Sequence, residues 1–162
     1  MQIGKGVFVA SRATFSVFEA GYISLGNHVF IKEDFTCISL ASKEGNSGKI
    51  TIGEGTHINK RATIVANNSI IIGKNCLFAI NVSLFDHDHI FSKKKHPTTS
   101  GLTQGKPIVI GDDVYLGNNV VILRGVTLGN HVIVGANSVV TKSFSANSII
   151  AGTPAKLIRK LQ

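Results

Sequence analysis

Four consecutive residues near the middle of the chain, Asp86-His87-Asp88-His89, carry the side chains best suited to moving protons. Histidine is the side chain whose ordinary pKa best matches proton transfer near neutral pH. A neighbouring carboxylate can hold an imidazole in one tautomer and stabilise its charged form. On an extended segment the two histidines share one side and the two aspartates share the other. The run therefore predicts an acid–base site.

Two other interpretations of the run stay open, a surface loop without a chemical role and a metal site. A site like that of γ-type carbonic anhydrase needs three histidines. His57 could supply the third, but the H-x-H spacing does not match that class. His28, His57 and His131 are expected on the surface. His96, which precedes Pro97, is expected in a loop beside a substrate rather than as a catalytic group.

The elements that must position this run follow a six-residue repeat. From residue 110 onward, aliphatic residues recur every six positions, at Ile110, Leu116, Ile122, Leu128, Val134 and Val140. The next residue is often glycine, and the residue four places on is small or β-branched. This period fits neither an amphipathic helix nor an alternating strand, and it is typical of a parallel β-helix. The predicted fold is an all-β triangular prism with three hexapeptides in each coil.

The repeat continues upstream in shorter blocks, which begin at Ile3, Leu25, Ile52 and Ile72. Each aliphatic residue is expected to point into the prism. Glycine, or another residue tolerant of positive φ, is expected at the corner. Two stretches interrupt the repeat, a polar loop at 41–49 and a long loop at 86–106 that opens with the acid–base run. A loop of that length is usually functional. The whole chain, 1–162, is expected to be one domain that ends in a short tail from about residue 150.

Composition narrows the classes of partner. The chain has 162 residues, a formal net charge of +8 and a pI of about 9.7. A basic chain can bind nucleic acid, an anionic membrane surface or a phosphorylated small molecule. Nucleic-acid binding is not expected, because aromatic residues are not interleaved with the basic ones. The run Lys93-Lys94-Lys95 can either face solvent or attract an anionic ligand.

Two further observations concern the compartment. No segment is long and apolar enough to span a membrane, and the first ten residues lack the apolar run of a signal peptide, so a cytoplasmic protein is expected. Cys37 and Cys76 occupy inward or small-residue positions of the repeat. Both are therefore expected to be buried packing residues without a disulfide.

Three segments of the second half resemble motifs of the hexapeptide-repeat acetyltransferases. Residues 107–117 (PIVIGDDVYLG) are similar to the family's PI-x-IG-x-x-VWIG, residues 135–142 (GANSVVTK) to its GAGSVVTK, and residues 151–159 (AGTPAKLIR) to its AGNPAKxIR. The resemblance is closest to the galactoside, maltose and streptogramin O-acetyltransferases and to those of surface polysaccharides. It implies a left-handed β-helix, acetyl-CoA as cosubstrate with no metal, and a homotrimer with active sites between subunits.

The resemblance also implies roles for individual residues. Counted from Gly73, the family's catalytic histidine falls on His89, and His87 is the alternative general base. The family's acceptor-site asparagine falls on Asn81, and Asp86 and Asp88 are expected beside the acceptor. The residues expected to bind the cofactor are Tyr115, Asn118, Ala136, Thr141, Lys142, Lys156 and Arg159.

Three departures from the family pattern bear on the acceptor. Tyr115 replaces the family's tryptophan, and Asn118 replaces its serine or glycine, so an oxyanion donor there is expected to be the backbone N–H. The chain also enters the repeat by Ile3, without the N-terminal helical segment of the galactoside and maltose enzymes. A glycan or nucleotide-sugar acceptor is therefore expected. Two other functions stay open, N-acetylation of an amino sugar nucleotide and a non-catalytic scaffold.

Overall fold

The computed structural model describes residues 1–40, 47–93 and 96–162. Most of the polar loop expected at 41–49, together with Lys94 and Lys95 of the basic run, lies outside the described residues.

The described residues form short strands and a single-turn helix. The strands are β1 (Gln2–Ile3), β2 (Phe8–Val9), β3 (Thr14–Val17), β4 (Tyr22–Leu25), β5 (Phe30–Ile31), β6 (Thr36–Ser39), β7 (Lys49–Ile52), β8 (His57–Ile58), β9 (Thr63–Ala66), β10 (Ser69–Ile72), β11 (Leu77–Phe78), β12 (Ser83–Phe85), β13 (Ile108–Ile110), β14 (Tyr115–Leu116), β15 (Val121–Ile122), β16 (Thr127–Leu128), β17 (Ile133–Val134), β18 (Val139–Val140), β19 (Ser148–Gly152) and β20 (Ala155–Lys160). The helix, α1 (Pro97–Ser100), lies in the long loop.

These strands form three sheets, which are the three faces of a prism. Sheet A orders its strands β1-β4-β7-β10-β13-β16, sheet B orders them β2-β5-β8-β11-β14-β17-β19-β20, and sheet C orders them β3-β6-β9-β12-β15-β18. From β1 to β18, successive strands visit sheets A, B and C in turn, and the neighbours within a sheet are parallel up to β19. We name the turns corner 1 (A to B), corner 2 (B to C) and corner 3 (C to A). The predicted prism is confirmed.

The core is a stack of the inward residues of the repeat. Ile72 pairs with Ile110, and Ile110 pairs with Leu128 on the following coil; all three are buried. Each such side chain contributes about 1.5–3 kcal/mol relative to an exposed one. Cys37 and Cys76 are buried and unpaired, as predicted. Burial raises the pKa of the Cys37 thiol to about 12.

The glycines that directly follow an inward aliphatic residue serve a different purpose from the one expected. Gly73 does not have positive φ; a Cβ there would lie 2.6 Å from the carbonyl carbon of Gly111 on the next coil. Positive φ falls two residues after these glycines, at Asn75 (φ 53°) and Asp113 (φ 56°). The expectation is confirmed at Gly55 and Gly125, which have positive φ, and is wrong for glycines such as Gly73, where glycine is required because the coils stack closely. The left-handed position is exposed and accepts polar residues.

The two ends of the prism differ. At the N-terminal end, the inward residues Ile3 and Val9 are 57% and 38% exposed, because no coil of the described residues covers them on that side. At the other end, the residues predicted as a short tail form an antiparallel hairpin of β19 and β20, and Ala155 is buried there.

Candidate functional site

The long loop leaves the prism at corner 3. Ile110 pairs with Leu128, eighteen residues on, whereas Ile72 pairs with Ile110, thirty-eight residues on. The loop doubles back on itself: the Asp88 N–H donates to Thr103 Oγ1 at 3.0 Å, and the Thr103 N–H donates to the Asp88 carbonyl at 2.8 Å. His89 forms an antiparallel bridge with Leu102. The loop therefore stands as a hairpin-like flap beside sheet C.

An open cleft of about 860 Å³ separates this loop from the outer face of sheet C. Its floor consists of Val65 and Phe85, which pair across neighbouring strands, and of Leu123. His87 and His89 line it from the loop. The structure thus brings both predicted histidines to one cavity whose floor is apolar.

Asp86 is a core residue, which the sequence did not lead us to expect. Its side chain is 0% exposed. Oδ1 accepts the N–H of Asn67 at 2.7 Å, and Oδ2 accepts those of Asn68 and Ser69 at 2.7 and 2.9 Å. A buried carboxylate requires such partners, because burying it unpaired would be costly. With both oxygens occupied below the surface, Asp86 is out of reach of an acceptor, contrary to the expected contact.

The two histidines differ in how firmly they are held. His87 Nδ1 lies 2.9 Å from Asp86 Oδ1, and the His87 side chain is only 9% exposed. The chain bends at Asp86, so Asp86 and His87 meet instead of pointing to opposite sides. His89 is exposed, and its ring has no hydrogen-bond partner among the residues that the structure describes.

Asp88 stands at the rim of the cleft. It is 46% exposed, and its Oδ2 lies 2.5 Å from Nε of Arg124, which comes from the next coil at corner 3. Arg124, Phe85 and Phe91 are cleft residues that sequence reasoning missed. A signal existed for Phe85, because it directly follows the inward residue Leu84, at an outward position where polar residues are usual.

The residues expected to bind the cofactor divide between two regions. Tyr115 is exposed on the outer face of sheet B, Asn118 and Ala136 are exposed at corner 2, and Lys156 and Arg159 are exposed on β20. Asn118 Oδ1 accepts the N–H of Ile80 at 2.9 Å. Thr141 and Lys142 lie instead at corner 3, two coils beyond the long loop. The first group is on a different edge of the prism from the histidine cleft.

Asn81 also lies at corner 2, away from the cleft. Its Nδ2 donates to Asn119 Oδ1 at 2.9 Å, and Asn119 Nδ2 donates to Asn137 Oδ1 at 2.9 Å. All three residues have φ near +60°. The amide predicted to meet the acceptor is therefore part of a ladder that joins successive coils.

The structure also bears on the remaining histidines. His28, His57 and His131 are exposed, as predicted, and His96 is exposed in the long loop. His57 lies on β8 of sheet B, where its ring packs 5.4 Å from that of Phe30, whereas the long loop leaves the prism between sheets C and A. Within residues 1–40, 47–93 and 96–162, no three His, Cys, Asp or Glu side chains converge on a point that could hold a metal ion. In the same part of the chain, no helix has the length and apolar character needed to cross a membrane.

Known proteins share this repeat and this fold. The bacterial transferase hexapeptide family, which has six repeats, matches residues 107–142. WbbJ of Escherichia coli K12, assigned provisionally as a lipopolysaccharide biosynthesis O-acetyl transferase, is 35% identical over 147 residues, which cover 86% of this chain and 75% of WbbJ. The galactoside O-acetyltransferase of the same organism is 38% identical over 112 residues, which cover 69% of this chain and 54% of that enzyme. The chain therefore spans about half of the galactoside enzyme.

Solved structures of acetyltransferases have the same fold as this chain. A hexapeptide-repeat acetyltransferase of Vibrio cholerae O1 biovar eltor, determined with acetyl-CoA, superimposes with a TM-score of 0.67 at 28% identity. The match covers 99% of this chain and 71% of that one. The repeat, the prism and these similarities together show that the chain belongs to the hexapeptide-repeat O-acetyltransferases, left-handed parallel β-helix enzymes that take their acetyl group from acetyl-CoA.

Proposed function

We propose that the chain transfers the acetyl group of acetyl-CoA to a hydroxyl of a sugar, glycan or nucleotide sugar, with an imidazole of the corner 3 cleft as general base. The observation that carries the proposal is the convergence of His87 and His89 on one cleft of about 860 Å³. That volume is in the range of small-molecule sites. An imidazole in such a cleft can exchange a proton at neutral pH.

The proposed reaction is a direct transfer between two bound substrates. The imidazole removes the proton of the acceptor hydroxyl, and the oxygen attacks the thioester carbonyl carbon of acetyl-CoA. The tetrahedral oxyanion is stabilised by a backbone N–H, for which Asn118 is the predicted donor. When the carbon–sulfur bond breaks, the imidazolium returns its proton to the thiolate of coenzyme A. Alignment of the two substrates supplies a further part of the rate.

His89 is the proposed base and His87 is the alternative. His89 occupies the family position, lines the cleft and has an exposed ring without a hydrogen bond among the described residues, so it is free to meet a hydroxyl. His87 is held by Asp86 and reaches the same cleft. Asp88, beside both, is proposed to contact the acceptor together with Arg124.

The oligomer is the second part of the proposal. The predicted cofactor residues Asn118 and Ala136 are at corner 2, while His89 is at corner 3 of the same chain. A homotrimer, in which corner 2 of one subunit faces the cleft of the next, would unite the two groups. The proposal thus includes active sites shared between subunits, and it retains the cytoplasmic location predicted from the sequence.

The acceptor class rests on the relatives and on the floor of the cleft. WbbJ is named for lipopolysaccharide biosynthesis and the second relative for galactosides. Phe85 and Phe91 offer aromatic faces, on which the C–H face of a sugar ring can pack. A saccharide acceptor is therefore proposed.

The test is an acceptor screen followed by single substitutions. Wild-type protein, acetyl-CoA and a panel of nitrophenyl glycosides, oligosaccharides and nucleotide sugars are assayed for released thiol. Hydroxylamine sensitivity then separates an ester product from an amide. With the best acceptor, His89→Ala is expected to lower kcat by about 10²–10⁴. If His87→Ala shows that loss and His89→Ala does not, the two roles are exchanged. Thiol release with none of the acceptors would contradict the proposed function.

A further inference from the structure

The Asp86 carboxylate has the surroundings of a fixed anion. Its side chain is fully buried, and it accepts three backbone N–H groups from the turn at residues 67–69, at 2.7, 2.7 and 2.9 Å. Each of its oxygens accepts at least one N–H, an arrangement that fits a carboxylate rather than a carboxylic acid. As an ionised group it can accept hydrogen bonds but cannot donate one.

This acceptor-only character determines the tautomer of His87. Because His87 Nδ1 lies 2.9 Å from Asp86 Oδ1, Nδ1 must carry the proton of that hydrogen bond. A neutral His87 then has its lone pair on Nε2. Nε2 has no hydrogen-bond partner among the described residues, and the ring, 9% exposed, lines the cleft. The pair therefore offers a rigidly held proton acceptor to whatever occupies the cleft.

The same turn also ties down the returning end of the long loop. Asn67 Nδ2 donates to the Thr103 carbonyl at 3.0 Å, and Asn68 Nδ2 donates to the Gly105 carbonyl at 3.0 Å. The departing end is joined to the returning end directly, since the Lys106 N–H donates to the Asp86 carbonyl at 2.7 Å.

Gly105 shows how close this approach is. A Cβ on Gly105 would lie 2.7 Å from Asn68 Cβ, so the returning chain presses against the turn that Asp86 holds. Both ends of the loop are thus fastened to one turn. The hairpin that carries His89 therefore depends on these hydrogen bonds for its position.

We infer that Asp86 is a positioning residue for acetyl transfer, whose buried carboxylate fixes His87 with Nε2 as proton acceptor and fastens the loop that carries His89. The inference rests on the proposed function for its effect on turnover, but the tautomer is a property of the protein alone. Asp88 does not share this role, because it is 46% exposed and bonds Arg124 at the surface.

Asp86→Asn keeps the shape of the side chain and replaces one carboxylate oxygen with an NH₂ group. It therefore tests whether Asp86 must act only as a hydrogen-bond acceptor. The amide presents one acceptor and one donor side. If its NH₂ takes the place of Oδ1, the Asn67 N–H loses its acceptor, His87 Nδ1 must become an acceptor and the ring proton moves to Nε2. If its NH₂ faces Asn68 and Ser69, two N–H donors lose their acceptor and the loop loosens. Asp112→Asn is the matched control, because Asp112 Oδ1 also accepts a backbone N–H, that of Lys74 at 2.8 Å, but lies at corner 1, away from the cleft.

The experiment records two-bond ¹⁵N–¹H spectra of the histidine side chains at alkaline pH, with His87→Gln to assign the signals. The wild-type protein and Asp112→Asn are both expected to show His87 protonated at Nδ1. Asp86→Asn is expected to lose that signal pattern. It is also expected to lower kcat at least about tenfold while acetyl-CoA affinity, measured by calorimetry, changes less than about twofold.

The outcomes are distinguishable. A wild-type His87 protonated at Nε2 overturns the inference, and this result does not depend on whether Asp86→Asn folds. An Asp86→Asn protein with unchanged kcat overturns the positioning role. If the wild type transfers acetyl to no acceptor but shows the expected tautomer, the proposed function fails while the fixed imidazole stands.

Discussion

Corners 2 and 3 border the same sheet but are built differently. At corner 2 one column of exposed residues has φ between 58° and 61° on coil after coil: Arg12, Asp34, Arg61, Asn81, Asn119 and Asn137. Neighbours in the column bond one another, as in the Arg12–Asp34 ion pair (Nε to Oδ1, 2.5 Å) and the asparagine ladder. At corner 3 the long loop interrupts the series, and one buried carboxylate collects four polar partners.

The difference indicates that the regular corner contributes stability, whereas the interrupted corner positions the side chains proposed for catalysis. Where every coil has the same backbone conformation, equivalent side chains meet and each contact contributes a small, replaceable amount. Where the repeat is broken, the chain gains freedom to place imidazoles over an apolar cleft. The position of the long loop then depends on a few buried hydrogen bonds at its base. Losing one of them is therefore expected to lower the free energy of unfolding strongly.

The largest expected effect tests whether the two corners work across subunits. His89→Ala removes the proposed base at corner 3, and Ala136→Trp fills the predicted acetyl-CoA site at corner 2. Each homogeneous variant is expected to be inactive. Co-expressed chains carrying one substitution each should regain a measurable fraction of wild-type turnover, because some mixed sites contain neither substitution. No recovery in mixed oligomers of confirmed composition would mean that both residues serve one subunit.

The next effect concerns stability at corner 3. Asp86→Ala leaves three backbone N–H groups and His87 without their acceptor. We expect the free energy of unfolding to fall by about 3–5 kcal/mol, as for the loss of one partner from a buried charged network. Chemical denaturation followed by circular dichroism measures it. A loss below about 1 kcal/mol would show that the stability of corner 3 does not depend strongly on the Asp86 carboxylate.

Corner 2 is expected to tolerate the loss of one contact. Asn119→Gly removes two amide hydrogen bonds but keeps a residue that accepts φ of 58°. The expected loss is about 0.5–1.5 kcal/mol, because these bonds are exposed. The same denaturation measurement applies, and a loss equal to that of Asp86→Ala would remove the contrast between the corners.

A matched substitution isolates the backbone contribution at corner 2. Asn119→Ala removes the same amide and also places an alanine in the left-handed region. It should cost about 1 kcal/mol more than Asn119→Gly, since that conformation is strained for a residue with a Cβ. Equal stability of the two variants would indicate that the corner relaxes to ordinary backbone angles.

The smallest effect is the pH dependence of the Arg12–Asp34 pair. The hydrogen bond from Arg12 lowers the pKa of the Asp34 carboxyl. A lowered pKa stabilises the fold above the carboxyl's unfolded pKa, and the contribution is lost as pH falls through the folded value. The melting temperatures of wild type and Asp34→Asn should thus differ slightly at pH 7 and converge in acid. Because the pair is exposed, added salt should shrink the difference. A difference that grows in acid would contradict this.

The sequence predicted the prism because inward residues such as Ile110 and Leu128 recur at a fixed interval along the chain. This interval can be recognised without knowing which residues are in contact. It also predicted that His87 and His89 belong together. It did not predict the burial of Asp86, whose partners lie seventeen to nineteen residues upstream in a turn with no distinctive composition. The close approach at Gly73 was missed for a similar reason, since it depends on the neighbouring coil rather than on the local backbone.

The most direct test of the central claim is the double substitution His87→Ala/His89→Ala, assayed for both acetyl transfer and acetyl-CoA binding. We predict that calorimetry shows acetyl-CoA affinity close to that of the wild type, while transfer to the best acceptor falls by at least about 10². Wild-type turnover in the double variant would contradict the assignment of proton transfer to the corner 3 cleft.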